Sequence, residues 1–266
     1  MIGNSYNKNM KKGQVLLIVV MLLATALTIA LTATYQSITD TQLTKLEEEN
    51  QKALAAAEAG IEAALNQKTN INIGDLPNLS SFTGTAEIQN SQNNQFTTPF
   101  IQKDEQYTFY LSSYNPQTKS FSGASNQQSI DICFGSSNFN PAIEITLIKN
   151  DYTIKRYAVN PQSNNNIIKE ASIASSPTNC PPNNPAFTNK YSIQSSDIGT
   201  NSQLLIVRII HNQIGATKLG FKSNINFPLQ GSTITSTAKS QTGVEKKVQL
   251  FQSHPQIPSE FFVTSF

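Results

Sequence analysis

From Gln14 to Thr39 the chain carries no charge, and its large aliphatics crowd into the first part of that stretch: Val15, Leu16, Leu17, Ile18, Val19, Val20, Leu22, Leu23, Leu27, Ile29 and Leu31. Each such residue near a helix centre favours bilayer insertion by roughly 0.3–0.6 kcal/mol, so together they favour it by about 5 kcal/mol, which outweighs the threonines among them. A helix of about 26 residues reaches about 39 Å, more than the ~30 Å of hydrocarbon in a bilayer. The segment can therefore span. Lys8, Lys11 and Lys12 precede it, while Asp40 and Glu47 to Glu49 follow. The positive-inside bias then leaves the N-terminus in the cytoplasm and the bulk of the chain outside.

Three fates are open to such a run: removal as a secretory signal, permanent anchoring, or service first as an anchor and later as a packing surface. A secretory signal has a shorter apolar region and a small-residue cleavage site. Ala30 to Ala33 (ALTA) offers only a weak site of that kind. Continuity argues against removal there, because no Gly or Pro occurs between Gln14 and Ala59 and the following residues, DTQLTKLEEENQKALAAAEAGIEAAL, are strong helix formers. The pattern predicts one helix from Gln14 to about Asn66, on the order of 75–80 Å long. In its second half Leu43, Leu46, Leu54, Ala57, Ile61, Ala64 and Leu65 recur at helical spacing, a stripe expected to face a globular domain. Gly60, unfavourable in a helix interior, is expected either to admit a closely packed neighbour or to mark the helix end.

The junction KKGQ at Lys11 to Gln14, ahead of an uninterrupted apolar helix that turns amphipathic, resembles the N-terminus of type IV pilins and pseudopilins. The stretch AAAEAGIEAAL (Ala55 to Leu65), with Ala56, Ala57, Glu58, Ala59 and Gly60 at its centre, is similar to the AAEAG signature of PilX-type minor pilins. The resemblance implies cleavage between Gly13 and Gln14 by a prepilin peptidase, N-methylation of Gln14, and an assembly helix that includes Leu16, Ile18, Leu22 and Leu23. It also implies a pilin-like α+β fold, with residues 1–13 as leader, 14–66 as the long helix (14–39 its membrane and assembly part) and 67–266 as a β-rich head. The implied partners are other pilin subunits, the peptidase, an inner-membrane platform and an assembly ATPase, with the lipid bilayer as first host and the pilus or cell surface as destination. Most pilins carry glutamate as the fifth mature residue, where this chain has Ile18. A carboxylate at that depth costs about 2.5–3.5 kcal/mol unless paired. Ile18 avoids that cost and forgoes the pairing, which suits a minor or tip subunit better than the bulk one. Gln14, in place of Phe or Met, is a further departure. The reading from a different class is a permanently anchored, adhesin-like surface module.

Beyond Leu65 the sequence breaks at Gly74 and Pro77 and becomes strand-like. AIEITLIKNDYTIKRYAV reads as a hairpin with a two-residue Asn150-Asp151 turn, and STITSTAKSQTGVEKKVQLFQ as a second around Gln241-Thr242-Gly243. QLLIVRII from Gln203 lacks alternation and reads as a central strand covered on both faces. Thr85 to Gln89, Gln106 to Leu111 and Ser129 to Phe134 are weaker candidates. Pro161 to Ile193, rich in Asn, Ser and Pro, is expected to be a long surface loop. The absence of interleaved helices predicts an antiparallel sheet or sandwich packed on the second half of the long helix.

Composition narrows the function. The formal charge of +2 falls by three, to −1, once Lys8, Lys11 and Lys12 leave with the leader, and no basic-aromatic alternation marks a nucleic-acid surface. The two cysteines, Cys133 and Cys180, are free to bridge in an oxidising compartment or to stand as small apolar residues. No HExxH, phosphate-binding glycine loop or GxSxG elbow is present. The only histidines, His211 and His254, carry no recognisable catalytic pattern, and the cysteines lack zinc-ligand spacing. The sequence predicts no enzyme activity, cofactor or metal.

Overall fold

A computed structural model describes residues 12–90, 92–123, 128–137, 139–164, 166–210 and 215–258, with side chains from residue 16 onward. A single helix, α1 (Lys12–Gln67), opens the chain and extends for 56 residues, about 84 Å at 1.5 Å per residue. Two short strands and a longer one follow: β1 (Ile71–Asn72), β2 (Phe82–Gln89) and β3 (Gln95–Thr97). Next come β4 (Gln106–Tyr110), the small hairpin of β5 (Ser113–Asn115) and β6 (Ser120–Ser122), and β7 (Ile130–Phe134). The hairpin β8 (Ala142–Lys149) and β9 (Ile154–Asn160) precedes β10 (Ser172–Ile173) and β11 (Asn189–Ile193). After one turn of helix, α2 (Ser195–Ile198), the chain forms β12 (Ser202–Ile210), β13 (Gly220–Lys222), β14 (Gly231–Ser240) and β15 (Glu245–Ser253).

The chain divides into two compact units: residues 1–87 with 236–248, and residues 88–235 with 249–266. In the first, α1 packs on strands of the sheet ordered β1-β2-β14-β15. The buried face of α1 is made of small residues: Ala53, Ala56, Ala57, Gly60 and Ala64 are closed off from water beside Ile61. They meet Ile73, Phe82 and Ala238. Small side chains let the helix backbone approach the sheet closely, and Gly60 sits at such an approach. A Cβ there would lie 2.7 Å from Ser236 Oγ and 3.3 Å from Ile73. Since α1 continues seven residues beyond it to Gln67, close approach accounts for this glycine and helix termination does not.

The predicted stripe needs correction toward the N-terminus. Leu43, Leu46 and Leu54 are exposed, at 58%, 51% and 41%. The sheet meets the helix from Ala53 onward, and the turn between β14 and β15 reaches only as far as Glu49, whose Oε2 accepts a hydrogen bond from Thr242 Oγ1 at 3.0 Å. Periodicity located the apolar side of the helix but not the length of helix that the sheet covers.

Gly84 in β2 is required for a different reason. Its φ is +136°, and a Cβ would lie 1.9 Å from the carbonyl oxygen of Thr237. Gly84→Ala should therefore force β2 away from its neighbour and cost about 2–3 kcal/mol. Thermal unfolding tests this: a melting temperature within a degree of the parent would refute the stated packing.

The second unit is a sandwich. One sheet is ordered β10-β9-β8-β12-β4 and the other β11-β7-β13-β3; all pairs are antiparallel except β9 with β10. Alternate residues from both sheets close one core, with Phe109, Ile143, Ile145, Leu147, Leu205, Val207 and Ile209 from the first meeting Ile130, Ile132, Phe134 and Phe221 from the second. As expected of QLLIVRII, β12 is central, flanked by β8 and β4. The long helix therefore packs on a sheet distinct from either layer of the sandwich, where the sequence had suggested a single β assembly.

Two local expectations also change. The β8–β9 connection spans residues 150–153, two longer than the predicted turn, and its positive φ (64°) falls on Tyr152. Asp151 Oδ1 instead accepts the Thr153 amide at 3.0 Å, which stabilises the longer loop. The region from Pro161 to Ile193 is not loop throughout, since it contains β10 and β11. NKYSI gave no apolar alternation because its inward-facing positions include Asn189, a buried amide that accepts from the Gln162 amide and donates to Asn140.

Candidate functional site

The apolar half of α1 has no partner among the described residues. From Leu16 to Leu31 the large aliphatics are exposed on all sides of the helix, from 45% at Val19 to 69% at Ile29, with Leu16 at 67%, Ile18 at 51%, Leu22 at 62% and Leu23 at 65%. Spacing puts these residues all round the axis, the pattern of a helix immersed in an apolar medium. The stretch is long and apolar enough to cross a bilayer.

Its threonines are less costly than composition implies. Thr25 donates to the Leu22 carbonyl, Thr28 to Ala24, Thr32 to Thr28 and Thr34 to Ala30, all at 2.8–2.9 Å. Burying a hydroxyl without a partner is expensive in hydrocarbon; a hydroxyl bonded back to its own helix has its donor satisfied before it leaves water. Thr39, Thr41 and Thr44 repeat the arrangement further along. The polar residues of this half thus leave its outer surface largely hydrocarbon.

Residues 1–11 lie outside the described residues. The backbone of Gly13 and Gln14 is helical, in the first turn of α1, and their side chains lie outside the described ones. Of the motif at residues 56–60, the structure brings Ala56, Ala57 and Gly60 onto the sheet-facing side and leaves Glu58 in solvent; Ala59 is intermediate. The motif thus serves packing through its small residues. Glu48 and Lys52 pair across one turn at 2.7 Å on the exposed side, each favouring the other's charged form.

In the sandwich, Cys133 and Cys180 are joined by a disulfide with Cα atoms 5.9 Å apart. Cys133 points to the outer face of the four-stranded sheet, opposite the side that carries Ile132 and Phe134 into the core. Its partner anchors the loop over that face. A Cβ on Gly220 would lie 2.7 Å from the Phe187 ring and 3.1 Å from Pro181, so this glycine keeps the sheet flat where the loop lies on it. Asn160 holds the start of the loop by donating to and accepting from the Ile168 backbone, at 2.8 and 2.9 Å.

No family model, curated protein or solved structure matches the chain. Among the described residues no cluster of His, Cys, Asp and Glu could hold a metal ion. His211 lies outside them. His254 packs edge-on against Tyr110 and Tyr114, and burial holds its pKa below the ordinary imidazole range. Burial likewise raises the Tyr110 phenol to about 12, and its hydroxyl donates to the Pro255 carbonyl at 2.6 Å. Asp197 is held below the usual carboxylate range by hydrogen bonds from Lys155 and Tyr157. These are structural contacts that tie α2 to β9 and the segment after β15 to β4.

One arrangement had no sequence signal. The open edge of β4 is closed by two glutamines: Gln230 accepts from the Tyr110 amide and donates to its carbonyl, both at 2.8 Å, and Gln256 does the same at Thr108, at 2.7 and 3.3 Å. Each side-chain amide imitates a backbone amide, so the edge strand is paired without another strand and cannot template association with a second chain. Glutamines 120 and 148 residues away along the chain carry no local mark of this role.

Proposed function

We propose that this chain is a minor, pilin-like subunit that is held first in a membrane by the apolar half of α1 and then packs by that same half into a type IV pilus or related filament. The observation that carries the reading is the division of one uninterrupted helix: Ala53 to Ala64 buries a small-residue face in a sheet, while Leu16 to Leu31 is exposed on all sides. A helix of that kind needs an apolar surrounding, and both lipid tails and sister helices supply one. Transfer between them changes the hydrophobic free energy little, so association rests on the packing of helix against helix. The KKGQ junction and the resemblance at residues 55–65 select the filament over a permanent anchor. The protein is then a structural subunit, with a cytoplasmic N-terminus before processing and the β units outside.

The test is the N-terminal sequence and intact mass of the mature protein. A chain beginning at methylated Gln14 and recovered in sheared filaments is the expected result. An unprocessed leader with all of the protein in the membrane fraction would favour the anchored surface module, and a chain beginning near Thr34 would favour ordinary secretion.

A further inference from the structure

The second unit contains a cleft of about 390 Å³, within the range of about 300–1,000 Å³ typical of small-ligand sites. Its lining comes from three separated stretches, residues 89–99, 227–233 and Phe251, and includes no ionisable side chain. Phe96 and Phe251, both partly exposed, meet with ring centroids 5.8 Å apart. Around them Asn93, Gln95, Thr97 and Thr233 make no side-chain hydrogen bond to any described residue, whereas Gln230 in the same wall is committed to the Tyr110 backbone.

We propose that this cleft binds a neutral oligosaccharide. A charged ligand would lose water there and meet no opposite charge, a cost the lining cannot offset. Sugar hydroxyls both donate and accept, as do side-chain amides and threonine hydroxyls, so the four uncommitted polar groups match a run of vicinal hydroxyls. The apolar C–H face of a pyranose ring needs a flat hydrocarbon surface, and the two phenylalanine rings, tilted by 51° to one another, offer one ring face each. An extended peptide fits less well, because β3 is a three-residue edge with Pro99 two positions beyond it, too short for strand addition. The proposal is independent of how α1 is used.

The experiment is a binding screen of the full chain in detergent micelles against immobilised neutral and sialylated oligosaccharides, followed by calorimetry with the best neutral binder. The expected result is a Kd of about 0.1–1 mM that barely changes between low and high salt and rises at least about tenfold in Gln95→Ala, Thr233→Val and Phe251→Ala. Phe251 is partly buried, so the two polar variants, with unchanged melting temperatures, guard against loss through misfolding. Binding of no neutral oligosaccharide in the screen, binding only of sialylated ones with strong salt dependence, or affinity unaltered by both polar variants would overturn the proposal. Capture of an unglycosylated peptide competing at the same residues would overturn it too.

Discussion

Replacing Cys180 by serine should lower the unfolding free energy of the sandwich by about 4 kcal/mol, the entropy that a cross-link spanning 47 residues removes from the unfolded chain. The loss should be large because the bond closes most of the stretch between β7 and β11, most of which is irregular. Without it, the loop that carries Phe187 and Pro181 over Gly220 is held by hydrogen bonds and contacts alone, among them those of Asn160, Asn189, Ser175 and Thr178. The chain has eight tyrosines and no tryptophan, so urea unfolding followed by tyrosine fluorescence reports the transition. Cys133→Ser and reduction of the parent should each give the same shift, since all three remove one bond. A shift below about 1 kcal/mol in all three would mean that the loop is held by its hydrogen bonds and not by the cross-link. A single deviating case, Cys133→Ser, would instead report the hydroxyl placed at a fully buried position.

The second large effect is expected at Phe109. This residue is fully buried in β4, stacked on Phe221 with centroids 4.2 Å apart and 12° between planes, and it meets Phe227 edge-on at 4.8 Å. Its ring joins the two sheets, so Phe109→Ala should cost about 3–5 kcal/mol through lost transfer energy and the cavity left behind. The aromatic contacts add to the loss, because no aliphatic neighbour can reproduce the stacked and edge-on pairs. Phe100→Ala is the matched control. That ring is 66% exposed, with Lys218 Nζ 4.6 Å from its centre, and its removal should change stability by less than about 0.5 kcal/mol. Equal effects at the two sites would contradict the assignment of the core.

The long helix was legible because its determinants are local. An uncharged apolar run, the absence of Gly and Pro as far as Ala59, and a lysine-rich start act over a few turns, and no distant partner can easily reverse them. The same reasoning failed at Leu43, Leu46 and Leu54. Whether an apolar stripe is covered depends on how far a sheet from the other end of the chain extends. The strong strands β8, β12 and β14 were readable from long β-branched runs. β3, β6, β10 and β11 were not, because QFT, SFS, SI and NKYSI become strands through the neighbours they pair with. Gly60 shows the boundary within a single residue: its presence in a helix was visibly unusual, but the contact with Ser236 that accounts for it lies 176 positions away.

The amino-acid order alone settled that one long helix precedes the β-rich part and that its first half is long and apolar enough to cross a bilayer, since hydration and helix propensity act residue by residue. Only the folded chain decided that the helix lies on a sheet separate from the sandwich, that Cys133 and Cys180 meet, and that Phe96, Phe251 and polar side chains uncommitted among the described residues share a cleft. Those outcomes depend on which distant segments pair, and pairing is set by the total burial and hydrogen bonding of the whole chain rather than by any short stretch of it.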